Sequence, residues 1–162
     1  MQVREMMSSP AVTVTPETKI PEIARLMREK QISGLPVVDG TSKLLGLITE
    51  LDLIERNAPL KEPRYLAVLA GLIPVSLDEY SDYREQVRHV LATNAQEIMS
   101  KPAHIVTPAT DMETVMRLMM DPTNTLLPVV ENEQVIGVIT RTDLVRVIEQ
   151  LEMAVEEDGQ GK

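Results

Sequence analysis

The 162-residue chain contains two copies of one pattern, and this repeat constrains its fold more than any single motif. Residues 5–53 recur as residues 97–144, with an offset of 92 that falls to 91 where the second copy lacks one loop residue. The shared positions include Met7/Met99, Pro10/Pro102, Pro16/Pro108, Arg25-Leu26-Met27/Arg117-Leu118-Met119, Leu35-Pro36-Val37-Val38/Leu127-Pro128-Val129-Val130 and Gly46/Gly137. Because each copy is too small to bury a core alone, we expect the two to pack together and to leave a cleft between them that suits a ligand.

Each copy begins with a pattern of strand followed by helix. Val12 and Val14 alternate with threonines and predict a short strand, and Thr18 suits the N-cap of a helix whose apolar residues follow at helical spacing. In the second copy, Thr110 and Glu113 predict a capping box.

The second half of each copy predicts two further strands and another helix. In the first copy, residues 35–38 and 44–49 predict the strands and residues 50–56 predict the helix. The order β-α-β-β-α, found twice, predicts an α/β fold in which two repeats pack with pseudo-twofold symmetry.

The repeats divide the chain into four parts. We expect repeat 1 at residues 1–56, an inserted segment at 57–93, repeat 2 at 94–148 and an acidic tail at 149–162. The insertion is expected to be helical because Ser76 and Glu79 predict a capping box; it either packs or makes an oligomer contact, or it acts as a regulatory lid. The tail is expected to be disordered.

Composition limits the classes of partner. The net charge is −9 without a basic cluster, and the three tyrosines, the only aromatic residues, all lie in the insertion. The repeats therefore offer neither a phosphate-binding patch nor an aromatic stacking platform, which argues against nucleic-acid binding. No apolar run is long enough to span a bilayer and no secretory leader is evident, so we expect no membrane insertion and a cytoplasmic location.

Catalytic motifs are missing from the sequence. There are no cysteines, and the two histidines, His89 and His104, have no evident catalytic partner. We therefore expect a protein that is not an enzyme and has no metal site.

The strongest chemical signal lies where the third strand of each copy ends. Thr49 and Asp52 in the first copy, and Thr140 and Asp143 in the second, place a hydroxyl and a carboxylate at the start of a helix. Helix capping alone explains this spacing. The same groups also suit a ligand, because a helix N-terminus favours phosphate and a carboxylate accepts hydrogen bonds from ribose hydroxyls.

These motifs, in this order and found twice, resemble the cystathionine β-synthase (CBS) domain, and the tandem pair resembles a Bateman module. The resemblance covers roughly residues 1–56 and 94–148. It implies a regulatory module that binds AMP, ADP, ATP or S-adenosylmethionine, with or without Mg²⁺, in clefts shared by the two repeats. One site would use Val12, Ser33, Gly34, Thr140, Arg141, Thr142 and Asp143; the other would use His104, Thr125, Leu126, Thr49 and Asp52.

The two implied sites differ in charge. Arg141 and Thr142 suggest that the Asp143 site binds nucleotide phosphates, whereas Glu50 would repel phosphate and make the Asp52 site weaker or selective for a less charged ligand. Pro122 is expected to end its helix early and to alter the His104 site.

The implied partners are a second copy of the chain and a separate effector protein. Proteins of this kind usually form homodimers through their helices, and an unidentified effector would carry the regulatory output. A purely structural homodimerisation module without bound ligand is the alternative.

Overall fold

The computed structural model describes residues 1–68 and 71–159. The helices are α1 (Val3–Met6), α2 (Ile20–Lys30), α3 (Glu50–Asn57), α4 (Leu77–Leu91), α5 (Ala95–Ile98), α6 (Met112–Met119) and α7 (Arg141–Gly159). The strands are β1 (Gly34–Val38), β2 (Leu44–Thr49), β3 (Tyr65–Val68), β4 (Gly71–Pro74), β5 (Leu126–Glu131) and β6 (Gln134–Thr140). The predicted α/β fold of two equivalent repeats is confirmed.

Each repeat is built around an antiparallel hairpin, β1-β2 in the first and β5-β6 in the second. The strand predicted at the start of each repeat is reduced to one residue: Val14 forms a parallel bridge with Val37, and Val106 forms the matching bridge with Val129. The Thr-Pro sequence that follows explains this, because proline has no N–H with which to continue the ladder.

The short helices α1 and α5, which we call the leader helices, are exchanged between the repeats. Val3 and Met6 of α1 are buried in one core with Val115, Leu127 and Ile139 of repeat 2. Conversely, Ala95 and Ile98 of α5 are buried with the side chains of repeat 1. The two repeats are therefore interlocked, since each core is completed by the leader helix that precedes the other repeat.

Glycines permit the chain segments after the leader helices to cross the hairpins. Ser8 bridges to Val138 on β6, and Ser100 bridges to Leu47 on β2. A Cβ atom on Gly137 would lie 2.9 Å from the carbonyl oxygen of Ser8, and one on Gly46 would lie 3.0 Å from that of Ser100. Only glycine leaves room for this approach.

Two helices begin later than the sequence suggested. The hydroxyl of Thr18 accepts a hydrogen bond from the N–H of Thr15 and so closes the Thr-Pro turn, and the N-cap of α2 is Lys19. Thr110 closes the equivalent turn in repeat 2, and Asp111 caps α6. The predicted Thr110–Glu113 capping box is therefore wrong, because the threonine is used by the turn.

The insertion contains a hairpin as well as a helix. β3 pairs with β4, and α4 follows as the expected helix of the insertion. Ser76 accepts a hydrogen bond from the N–H of Glu79 at the start of α4, as its capping role requires. The guanidinium of Arg56 on α3 donates to the carbonyl oxygen of Ala92 just after α4, at 2.9 and 3.0 Å, which joins the insertion to repeat 1.

The acidic tail is helical over most of its length. α7 continues to Gly159, so the disorder expected from residue 149 is wrong up to that point; residues 160–162 lie outside the described part of the chain. Glutamate, leucine, methionine and alanine predominate here, and their helix propensity explains the extension. Neither α7 nor any other helix in residues 1–68 and 71–159 has the length and apolar character needed to cross a membrane.

Candidate ligand-binding site

Both strand-end motifs form the capping boxes that their spacing predicts. Asp52 accepts hydrogen bonds from the backbone N–H and the hydroxyl of Thr49, at 2.6 and 2.9 Å. Asp143 accepts the same pair from Thr140, both at 2.8 Å. Capping is therefore a real role of both motifs, and any ligand-binding role is additional.

The carboxylate of Asp143 has two further partners. Its Oδ1 atom accepts hydrogen bonds from the hydroxyl of Ser8 at 3.0 Å and from the guanidinium of Arg146 at 2.7 Å. Asp143 is only 4% exposed, whereas Asp52 is half-buried. The ion pair with Arg146 compensates the burial of the Asp143 charge.

A cavity of about 370 Å³ lies beside Asp143, between the two repeats. The predicted residues Val12, Ser33 and Gly34 line it from repeat 1, and Thr140, Thr142 and Asp143 line it from repeat 2. The remaining lining residues are Ser8, Pro10, Lys30, Gln31, Ile32, Glu50, Leu126, Val138 and Arg146. The structure thus brings together, in one cavity, groups that are far apart along the chain.

Arg141 is not among the residues that line this cavity. Its guanidinium donates to the carbonyl oxygens of Met119 and Asp121, at 3.4 and 2.9 Å, at the end of α6. The cationic side chains on the cavity wall are instead Lys30, at the end of α2, and Arg146. Arg146 carries a signal that sequence reasoning missed: it follows Asp143 by three positions and therefore shares its helix face.

Glu50, which the sequence places at the Asp52 site, lies instead at the Asp143 site. It lines the Asp143 cavity, and its backbone N–H donates to the carbonyl oxygen of Ser33 at 2.9 Å. The first residue of α3 therefore faces the cleft served by the other repeat's Thr-x-x-Asp motif. Glu50 is exposed, so its carboxylate is available to a ligand.

The second predicted set of residues includes two groups that are buried, the side chain of Leu126 and the hydroxyl of Thr125. Leu126 stands at the repeat position held by Gly34 in the first copy, and it is 4% exposed in an apolar cluster with Leu47 and Val138. The hydroxyl of Thr125 is buried and has no hydrogen-bond partner among the described residues. Leu126, expected in this second set, instead lines the Asp143 cavity, where its Cδ1 atom lies 3.7 Å from the Cβ position of Gly34.

The loop after α6 differs from its equivalent in repeat 1. α6 ends at Met119, earlier than the equivalent α2, as Pro122 predicts. The pKa of the Asp121 carboxyl in this loop is lowered, first by the hydroxyl of Thr123 and then by its backbone N–H, with smaller effects from the charges of His104 and Arg141. Arg141 thus contacts this loop through the carbonyl oxygen of Asp121, and His104 is exposed.

Comparison of sequences identifies relatives over the full repeat pair. The family profile of the CBS domain matches residues 3–58 and 95–150. The uncharacterized protein MJ1426 of Methanocaldococcus jannaschii is 27% identical over 154 residues, which cover 91% of each chain. The chloroplastic CBS domain-containing protein CBSX2 of Arabidopsis thaliana is 24% identical over 144 residues, which cover 88% of this chain but 60% of that protein.

Solved structures share the fold. CBSX2 in complex with AMP superposes with a TM-score of 0.74 at 22% identity, covering 92% of this chain and 97% of that one. The CBS domain pair of protein MJ0100 in complex with 5′-methylthioadenosine and S-adenosyl-L-methionine gives a TM-score of 0.67 at 21% identity, covering 93% and 97%. Both comparisons concern the fold alone.

Proposed function

The chain belongs to the CBS domain family, and on that premise we propose that it is a regulatory module that binds an adenosine-containing ligand beside Asp143. The observation that carries the proposal is the convergence of Thr140, Thr142 and Asp143 with Lys30 and Arg146 on one cavity between the repeats. Relatives of the same fold are seen with AMP, and with 5′-methylthioadenosine and S-adenosylmethionine. The ligand classes proposed are AMP, ADP, ATP and S-adenosylmethionine, with Mg²⁺ accompanying the polyphosphates.

The cavity wall suits the parts of such a ligand. Its volume of about 370 Å³ lies in the usual range of small-molecule sites, about 300–1,000 Å³. Val12, Ile32 and Val138 supply apolar surface for the base. The carboxylate of Asp143 is the acceptor for ribose hydroxyls, and the nearby hydroxyl of Thr142 is available to the groups beyond the ribose.

The second set, with His104, Thr125, Leu126, Thr49 and Asp52, is proposed as the weaker site. The loop after α6 gives this set a different wall, because α6 ends earlier in its repeat than α2 does. Neither repeat contributes a residue that marks this set as catalytic, and we propose that the chain acts on a separate effector rather than as an enzyme.

Exposed apolar side chains favour self-association. Leu51 and Ile54 on α3 are 58% and 64% exposed, and Val145 on α7 is 64% exposed. Ile54 and Val145 occupy equivalent repeat positions, so both repeats present an apolar helix surface. We propose a homodimer through these helices, and a module that only dimerises remains the second candidate function.

Calorimetric titration of the full chain with AMP, ADP, ATP and S-adenosylmethionine, with and without Mg²⁺, tests the proposal. We expect saturable binding of at least one ligand, its loss in Asp143→Ala, and its retention in the matched variant Asp52→Ala. Thermal melting of both variants checks that they fold, since each loses a capping box. Loss of binding in Asp52→Ala with retention in Asp143→Ala would show that the ligand binds at the Asp52 site and that our assignment is wrong. An absence of binding to ligand-free wild type, together with a stable dimer, would favour the dimerisation module.

A further inference from the structure

We propose that Glu50, together with Lys30, selects an adenosine ligand with a zwitterionic amino-acid chain, such as S-adenosylmethionine, over adenine nucleotides at the Asp143 site. This inference rests on the proposed function and narrows its ligand class. The sequence favours nucleotide phosphates at this site only if Arg141 lies there and Glu50 lies at the other site. The position of Glu50 on the wall of the cavity reverses that assignment.

The fixed charges around the cavity sum to zero. The buried Asp143 carboxylate is paired with Arg146 at 2.7 Å. Lys30 and Glu50 also line the cavity, and neither takes part in an ion pair among the described residues. The wall therefore offers one uncommitted cation and one uncommitted anion.

A nucleotide is a poor match for this wall. Each added phosphate brings negative charge, which Lys30 alone cannot balance while Arg146 is held by Asp143. The carboxylate of Glu50 adds repulsion, which grows from mono- to triphosphate. We therefore expect affinity to fall as phosphates are added.

A zwitterionic chain matches both uncommitted groups. The amino-acid end of S-adenosylmethionine has a carboxylate for the Lys30 ammonium and an ammonium for the Glu50 carboxylate, and its sulfonium is a second cation. Asp143 is buried, whereas Lys30 and Glu50 are exposed. The ribose would therefore lie at the buried end of the cavity and the charged chain at its rim.

The fold itself does not require a carboxylate at position 50. The equivalent residue of repeat 2 is Arg141, which has the opposite charge at the same helix position. Arg141 is engaged by backbone carbonyl oxygens, whereas no hydrogen bond in the described part of the chain involves the Glu50 side chain. The Glu50 carboxylate is thus free for ligand selection.

Titration of the wild-type chain and Glu50→Gln with S-adenosylmethionine, AMP and ATP, the last with and without Mg²⁺, tests the inference. Glu22→Gln is the matched control, because it removes the same charge from an exposed helical position that does not line the cavity. We expect wild type to bind S-adenosylmethionine tighter than ATP. Glu50→Gln should weaken S-adenosylmethionine and strengthen ATP, each about three- to tenfold, as expected for one charge near the surface.

The outcomes separate the two proposals. One outcome is that wild type binds an adenosine ligand while Glu50→Gln shifts the ratio of the S-adenosylmethionine and ATP affinities no more than Glu22→Gln does. In that case Glu50 is not a selector, and the inference fails while the proposed function stands. A wild-type preference for ATP also overturns the inference alone. If none of the three ligands binds to wild type, both fail.

Discussion

The hydroxyl of Ser8 donates a hydrogen bond to Oδ1 of Asp143 at 3.0 Å, and so ties the segment after the first leader helix to the wall of the cavity. Arg146 donates to the same oxygen, while Thr140 donates twice to Oδ2. A carboxylate has about four lone-pair positions, and all of those on Asp143 are used by the protein. A ribose hydroxyl must therefore replace one of these donors, and Ser8 supplies the uncharged donor that lies outside the Thr140–Asp143 capping box.

Replacement of Ser8 by alanine should have opposite effects on stability and on binding. We expect Ser8→Ala to lower the free energy of unfolding by about 1 kcal/mol, the usual net value of one hydrogen bond. It should raise ligand affinity by a few fold, since no donor has to be displaced. Urea unfolding and calorimetric titration measure the two effects. Ser81→Ala, on the exposed face of α4, is the control and should change neither. A fall in affinity would mean that Ser8 contacts the ligand.

Shortening a buried side chain of a leader helix should destabilise the repeat that the helix does not precede. Met6 is 2% exposed in the core of repeat 2, so Met6→Ala should cost about 2–5 kcal/mol. Hydrogen exchange should show greater loss of protection in β5 and β6 than in β1 and β2. Met120→Ala, 83% exposed, should be nearly neutral. Preferential loss in β1 and β2 would contradict the exchange of leader helices.

A methyl group at Gly137 should strain the crossing of the leader segment. The added Cβ atom would lie 2.9 Å from the backbone oxygen of Ser8, and we expect Gly137→Ala to destabilise the protein by about 1–3 kcal/mol. Gly40→Ala is the matched control, because nothing lies within 4 Å of its Cβ position. Equal denaturation midpoints for the two variants would show that the crossing has room to spare.

Acid should weaken the start of α6 through Asp111. The N–H and the hydroxyl of Thr114 donate to this carboxylate and hold its pKa below the ordinary value. Its stabilising effect is fully present above the ordinary pKa of the unfolded chain and is lost as pH falls through the lowered folded-state pKa. Asp111→Asn keeps the cap but does not titrate. Between pH 7 and about pH 3, wild type should therefore lose more stability than Asp111→Asn in urea unfolding. Parallel pH profiles would argue against this role.

One ligand should bind per chain at low ligand concentration. α6 ends earlier in its repeat than α2 does, and the buried hydroxyl of Thr125 has no hydrogen-bond partner among the described residues, so the two expected sites have different walls. The stoichiometry from calorimetric titration checks this, with chain concentration fixed by amino-acid analysis. Two equivalent sites per chain would contradict the asymmetry.

Local patterns account for most elements that the sequence predicted. The hairpins, the capping boxes at Thr49 and Thr140 and the early end of α6 follow from spacing and turn chemistry within a few residues. The exchange of leader helices has no such signal. Val3 and Met6 are apolar and three residues apart whichever core they enter. Only the path of the chain in three dimensions determines that they enter the core of repeat 2.

The site divides in the same way. The repeat and its family resemblance selected Val12, Gly34 and Asp143, which the structure places around one cavity. The charged residues were misplaced because the identity of a helix's first residue does not say which cleft it faces. Glu50 and Arg141 each lie on the side opposite to the one assumed, and three-dimensional packing was needed to assign them.

The exchanged leader helices also set an order of events during synthesis on the ribosome. Val3 and Met6 emerge about 140 residues before their core partners Leu144 and Val147. Repeat 1 likewise waits for Ile98, which follows the whole insertion. The buried residues of the repeat 1 core run from Val14 to Ile98, so repeat 1 can fold before the rest of repeat 2 is made, as is usual for an N-terminal unit. The core of repeat 2 forms last, and the apolar side chains of α1 have no complete core to enter until Val147 emerges.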